Sequence, residues 1–311
     1  MNVDVSIIVP VYFNEGSLKK LTQALINRVL LENPEKKFEI IFIDDGSQDN
    51  SFSELLSIRE NYKDIIKVIK LTRNFGQLNA ILAGYSQCKG KAIINISADM
   101  QDPPELINDM IKYHFEHGFE IVICTRENRD EGWFRRLTSS FFYWLMKKLT
   151  FKNMPIGGFD FFLISSIVKN HILKNYEANA FLQGQILFEG YKPKFISYHR
   201  LKREVGKSRW TFGKKMKMLI DGVLAYSYLP IRIMTLLGAF IALAGFAYAI
   251  FIIIAYFLKG TPFKGWAPIM ILILVLSGIQ MLMLGIIGEY LWRTLDQVRN
   301  RPQFIIEKII E

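Results

Sequence analysis

Four short polar segments, each placed directly after an apolar run, carry most of the side chains in this sequence that could do chemistry. They are Pro10-Val11-Tyr12-Phe13-Asn14-Glu15, Asp44-Asp45-Gly46-Ser47, Arg73-Asn74-Phe75-Gly76-Gln77 and Ser97-Ala98-Asp99-Met100-Gln101-Asp102-Pro103-Pro104-Glu105. Carboxylates such as Asp44 and Asp45 can accept hydrogen bonds from a base N–H or from ribose hydroxyls, although an Asp-Gly pair is also the ordinary mark of a turn. A carboxylate at Asp99 can hold Mg²⁺ or Mn²⁺ against a diphosphate, because hard divalent cations take oxygen ligands and keep several waters. Asp102 reads in two ways, as part of that acidic group or as the cap of a helix beginning at Pro103. The first segment alone is a weak signal, since proline beside a strand end is common turn punctuation.

The elements that must position these segments follow from periodicity. Val5–Val11, Phe38–Ile43, Val68–Leu71, Ala92–Ile96 and Glu120–Cys124 read as strands. Helical patterns fall between them: Leu18, Leu21, Leu25 and Val29, then Ser51–Tyr62, then the small-residue stretch Gly76–Cys88. Strands alternating with helices predict an α/β fold with a mainly parallel sheet, whose ligand lies at the carboxyl ends of the strands.

Beyond this domain the apolar residues become nearly continuous. Residues 231–258 and 267–292 each exceed the roughly 20 apolar residues that cross a bilayer, and a short connector with Gly260, Pro262 and Gly265 suits a hairpin. Lys214, Lys215 and Lys217 before the first span and Arg293, Arg299 and Arg301 after the second outnumber Lys259 and Lys264 between them. The positive-inside bias therefore puts both termini in the cytoplasm. Residues 133–151 and 211–228 are expected to be interfacial amphipathic helices, with a core helix as the other reading of the first. The expected organisation is a cytoplasmic domain over 1–228, a two-helix anchor over 229–294 and a tail over 295–311. Gly238, Gly245, Gly278, Gly285 and Gly288 let membrane helices approach closely and mildly favour a homo-oligomer.

The 311 residues carry a formal charge of +10. The basic residues gather in amphipathic stretches and beside the apolar spans, which points to anionic lipid and not to nucleic acid. Cys88 and Cys124 lack any CxxC spacing and are expected to be reduced and structural. The four histidines share no metal-ligand spacing.

Taken in order, the four segments resemble the family 2 glycosyltransferases of GT-A fold, and within them the polyprenyl-phosphate glycosyltransferases. LTRNFGQLNAILAGYSQCKG followed by SADMQDPPE is the most distinctive stretch, and the terminal helix pair is similar to the bactoprenol-linked branch. The resemblance implies a GT-A domain, a nucleotide pocket from Pro10, Tyr12, Glu15, Asp44, Asp45 and Asp99, and a metal site of Mg²⁺ or Mn²⁺ at Asp99 and Gln101. It implies that Asp160, in Gly157-Gly158-Phe159-Asp160-Phe161-Phe162, lies near the acceptor and orients it or acts as base. It further implies that Arg203, Lys207 and Arg209 close on a diphosphate and meet the acceptor phosphate. Ser97 stands where the family usually has the first acid of Asp-x-Asp, and Phe162 where members often have Arg.

The function so implied is inverting transfer of a sugar, glucose from UDP-glucose before others, to undecaprenyl or another polyprenyl phosphate at the cytoplasmic membrane. Two alternatives stand beside it. A silent nucleotide- or lipid-binding scaffold is suggested by Ser97; a processive polysaccharide synthase would need more helices and a Gln-x-x-Arg-Trp motif, of which only Arg209-Trp210 is present. A nucleotide-dependent oxidoreductase is disfavoured by the lack of GxGxxG after the first strand.

Overall fold

The computed structural model describes residues 3–126, 154–155, 158–175, 182–201, 229–259, 266–299 and 301–311. The two expected interfacial helices, at 133–151 and 211–228, lie outside these residues, as do Arg203, Lys207 and Arg209. The chain divides into two compact units: Met1–Gly222 together with Pro302–Glu311, and Val223–Arg301.

In the first unit the run VSIIVPV forms β1 (Val5–Val11), buried except at Pro10. A strand with both faces buried needs cover on both sides, which alternating helices provide. β2 (Phe38–Asp44), β3 (Ile66–Leu71) and β4 (Ala92–Asn95) follow, separated by α1 (Leu18–Leu25, extended by a π-helical turn at Ile26–Leu30), α2 (Ser51–Asn61) and α3 (Gln77–Gln87). The small residues of α3 have a packing reason. A Cβ on Gly84 would come 2.8 Å from Ile8 and 2.9 Å from Ile43, so this helix lies directly on β1 and β2. The chain continues through α4 (Leu106–Phe115), β5 (Ile121–Arg126), β6 (Phe162–Ser165), α5 (Ser166–Lys174), α6 (Leu182–Phe188) and β7 (Lys194–Tyr198).

Among the described residues eight strands are ordered β7-β5-β6-β4-β1-β2-β3-β8, the last being Ile306–Ile310 of the tail. β1 pairs in parallel with β2 on one side and β4 on the other, so the order reverses there and opens a crevice at the carboxyl ends. β6 runs antiparallel between β4 and β5, and β8 antiparallel along β3. The result is the mainly parallel, mixed sheet of a GT-A fold. Both cysteines are buried free thiols, and burial raises Cys88 to about 11.

The described residues of the second unit form α7 (Leu229–Lys259) and α8 (Trp266–Arg299). Leu236, Phe240, Leu243 and Phe246 are 70–71% exposed, a surface that water would penalise and lipid would not. Both helices are candidate membrane spans by length and apolarity.

Candidate active site

The four polar segments meet at the carboxyl ends of their strands and are hydrogen-bonded to one another. Phe13 N–H donates to Ser47 Oγ at 3.1 Å, joining the first segment to the second, and Asn14 N–H to Ser51 Oγ at 2.9 Å, joining it to the start of α2. Ser17 Oγ, two residues past the first segment, lies 2.9 Å from both the Asn14 and the Ala98 carbonyls, linking the first to the fourth. Asp45 accepts from Phe75 N–H at 2.7 Å and Gly76 N–H at 2.9 Å, one per carboxylate oxygen, joining the second to the third. Among the described residues the only non-glycine positions with positive φ are Phe13 (56°) and Met100 (58°). Such strain of roughly 1–2 kcal/mol per residue persists where surrounding contacts over-determine the backbone, and here it marks two of the four loops.

Gly46 shows how tightly the loops fit. It adopts φ +69°, and a Cβ would lie 2.5 Å from the Arg73 carbonyl carbon and 2.7 Å from Asn74 N. Because both neighbours are backbone, Gly46→Ala is expected to destabilise the domain by about 3 kcal/mol, read as a fall in Tm of roughly 6–12 °C.

The carboxylates differ in what they do. Asp44 is fully buried; its Oδ1 accepts from Ser47 N–H at 3.2 Å, while Oδ2 has no partner among the described residues. Burial raises its pKa. Asp45 is occupied by the third loop, and Glu15 by Asn50, whose side-chain amide donates to it at 2.9 Å. Both therefore tie the loops together. Pro10 sits on β1 opposite Ile43, and the Tyr12 ring packs edge-on against Phe13 at 4.6 Å.

Asp99 is 6% exposed, and its Oδ1 accepts from Gln101 N–H at 3.2 Å. Ser97 Oγ lies 2.9 Å from Asp99 Oδ1 and 2.5 Å from Asp102 Oδ2. One hydroxyl carries one proton, so it cannot satisfy both carboxylates at once. The Arg200 guanidinium stands 4.0 Å from each of Asp99 and Asp102. Gln101 is fixed to the same stretch, through its side-chain amide to the Leu201 carbonyl at 3.2 Å and its carbonyl from Leu201 N–H at 2.9 Å.

The capping expectation for Asp102 is corrected. α4 begins at Leu106, after turns in which Leu106 and Ile107 donate to the Pro103 and Pro104 carbonyls, and Asp102 faces elsewhere. Its Oδ1 accepts from Tyr198 OH at 2.5 Å. Arg126 Nε donates to Tyr198 OH at 3.4 Å and its Nη2 to Asp160 Oδ2 at 3.0 Å. Gln183 donates to Asp160 Oδ1 at 3.2 Å, and Asn95 to the Asp160 carbonyl at 2.7 Å. A continuous polar chain thus connects Asp99 with Asp160. Burial works against the Arg126 charge, but Asp160 and Tyr198 outweigh it and hold the guanidinium protonated.

The profile of glycosyl transferase family 2 matches residues 6–175, more than half of the chain. The chain belongs to glycosyl transferase family 2. Among the relatives of this family 2 enzyme is an uncharacterised glycosyltransferase of Synechocystis sp., 34% identical over 99% of this chain and 96% of that one. The prophage-derived bactoprenol glucosyl transferase of Shigella flexneri is 31% identical over 98% of this chain and 97% of its own length. A mannosyltransferase of Pyrobaculum calidifontis, solved with GDP-Man and Mn²⁺, superposes with a TM-score of 0.53 at 15% identity, over 72% of this chain and 64% of that one. That likeness concerns the fold.

Sequence reasoning passed over Arg126, Gln183, Tyr198 and Arg200. Arg126 and Tyr198 face one another across β5 and β7, partners that only the strand register brings together.

Proposed function

We propose that the enzyme transfers a sugar, glucose from UDP-glucose before others, to a polyprenyl phosphate such as undecaprenyl phosphate, with inversion, at the cytoplasmic face of the membrane. The observation that carries this reading is that four loops at the strand ends are tied into one site, in a chain matching a bactoprenol glucosyl transferase over nearly its whole length. Asp44 Oδ2, buried and without a partner among the described residues, suits a donor group of the nucleotide. The donor set at the fourth loop fits Mg²⁺ or Mn²⁺: Asp99 with the amide oxygen of Gln101, and Asp102 and the Ser97 hydroxyl beside them, are all hard oxygen ligands. Such a cation, when bound, neutralises the charge that grows on the departing diphosphate.

The remaining work belongs to the chain's own groups. The acceptor phosphate is already ionised near neutral pH and needs no base, so Asp160, held by Arg126 and Gln183, acts by orienting it. Arg203, Lys207 and Arg209 come within nine residues after Arg200 in sequence and would supply cations for the two phosphates. The tail that follows α8 pairs with β3, in the sheet that precedes α7. That return supports an even number of crossings, with both termini in one compartment with the catalytic domain.

Burial raises the Asp45 carboxyl to about 6 despite its two N–H donors. The folded chain then holds this proton more tightly than the unfolded chain, whose carboxyl keeps the ordinary value near 4. Its contribution to stability is present below pH ~4 and lost as pH rises toward 6. Donor binding should run the other way, because only the ionised form accepts from both Phe75 and Gly76. Calorimetric nucleotide titrations between pH 5 and 8 are expected to show weakening below about pH 6, while thermal melts show no matching loss.

The test of the reading is transfer of radiolabelled sugar from a panel of UDP- and GDP-sugars to undecaprenyl phosphate, with Mg²⁺ or Mn²⁺ and with chelator. Metal-dependent labelling of the lipid from one donor is the expected result. Ser97 favours a second reading, a nucleotide-binding scaffold without turnover. No labelling by a chain that still binds nucleotide would support it, and transfer gained by Ser97→Asp would then trace the silence to that residue.

A further inference from the structure

The tail beyond α8 ends in β8, antiparallel to β3 on the outer edge of the sheet. Pairing runs Val68 with Ile310, Ile69 with Ile309 and Lys70 with Lys308, then shifts register so that Leu71 faces Ile306. It extends one step further, because Thr72 N–H donates to the Ile305 carbonyl at 3.1 Å. The next residues are the third loop itself: Arg73 and Asn74 packed against Gly46, Phe75 and Gly76 bonded to Asp45. This loop is therefore gripped at its tip by the second loop and at its root by the tail.

The side chains make the docking specific. Lys67, only 8% exposed, pairs with Glu311 at 2.6 Å, and Lys70 pairs with Glu307 at 3.0 Å. Arg59 donates to the Glu311 backbone carbonyl. Ile310 packs against the hydrophobic core. Without the tail, β3 would become an open edge, and the Lys67 ammonium would keep among these contacts only the Gln87 carbonyl, 3.4 Å away.

We infer that the C-terminal strand, residues 306–310, is a positioning element of the nucleotide-donor site, holding the 72–76 loop in register so that Asp45 can fix Phe75 and Gly76. The consequence is that donor binding depends on a segment covalently continuous with the membrane hairpin and remote in sequence from every donor residue. The inference rests on the reading of these loops as a nucleotide site.

The experiment compares the full chain in detergent with a chain ending at Arg301 and with Ile309→Pro, which keeps the length but breaks the pairing. UDP and GDP are titrated calorimetrically with Mn²⁺, and steady-state transfer gives KM for donor and acceptor separately. Both variants are expected to bind the preferred nucleotide about tenfold or more weakly and to raise donor KM in proportion, with acceptor KM and kcat at saturating donor within about twofold. A synthetic peptide of residues 302–311, added to the truncated chain, is expected to recover most of the affinity by strand addition. Where circular dichroism shows that truncation unfolds the chain, Ile309→Pro carries the comparison. Nucleotide affinity within about twofold of the full chain in a folded variant would overturn the inference. So would a joint fall in kcat and both KM values that the peptide does not reverse, the mark of general destabilisation. If the full chain itself binds neither nucleotide, the nucleotide reading fails, and the inference with it.

Discussion

Asp99→Asn is expected to lower sugar transfer by about a thousandfold while leaving Tm unchanged or slightly raised, a loss of roughly 4 kcal/mol of transition-state stabilisation. The expectation follows from how few anionic oxygens this site has. Position 97 is a serine, so within 97–99 only Asp99 carries charge. Asp102 is close, but its two oxygens already accept from Tyr198 and Ser97. An amide at 99 keeps the shape and can still accept from Gln101 N–H, yet removes the charge a divalent cation needs. Stability should not suffer, because two buried carboxylates bridged by one hydroxyl repel each other and neutralising one relieves that repulsion. Kinetics would be read beside Mn²⁺ binding by electron paramagnetic resonance and UDP binding without metal. Lost Mn²⁺ binding with retained UDP binding is the expected pattern; activity within about tenfold of the parent would remove Asp99 from the cation's ligands.

What could be read from the sequence is what period and punctuation encode. The apolar runs of β1 to β5, each closed by polar residues, gave the parallel core and the four loops, and the two long apolar stretches gave α7 and α8. The short antiparallel strands escaped for a physical reason. β6 is the four residues Phe162–Ser165, fully buried, with no alternation to reveal it, and the sequence Gly157–Phe162 beside it looked like a site loop. β7 alternates only over five residues, and β8 lies in a tail with charged Glu307 and Lys308, stabilised by partners more than 200 residues earlier.

The same holds for the site. Asp44, Asp45 and Asp99 announce themselves by type and position at strand ends. Their division of labour does not, because whether a carboxylate faces ligand or backbone is decided by loops distant in sequence. Asp45 is satisfied by residues 30 and 31 positions away, Asp102 by one 96 away. The cation beside Asp160 was sought two positions later, where Phe162 stands buried in β6; it comes from Arg126 on β5.

Asp102→Ala is expected to destabilise the domain by about 3–5 kcal/mol and to reduce transfer by about a hundredfold. Asp102 is 1% exposed, and the alanine would strand the Tyr198 hydroxyl and leave the Ser97 hydroxyl and the Arg200 guanidinium with Asp99 as their remaining carboxylate in the cluster. An unsatisfied buried polar group costs about 1–3 kcal/mol, more where it is charged. Tyr198 would retain only the long contact from Arg126, so the end of β7 would loosen and the hold on Asp160 with it. Asp102→Asn should be far milder, because its amide oxygen can still accept from Tyr198 while its NH₂ donates to Ser97, which is then free to donate to Asp99. A role as helix cap would make a different pattern: a loss of about 1 kcal/mol for alanine and no dependence on Tyr198. The double-mutant cycle of Asp102→Ala with Tyr198→Phe separates the two. Coupling of about 1 kcal/mol or more, measured by denaturation in detergent, is expected from the hydrogen bond across the sheet, and near-additive losses would return Asp102 to a purely local role.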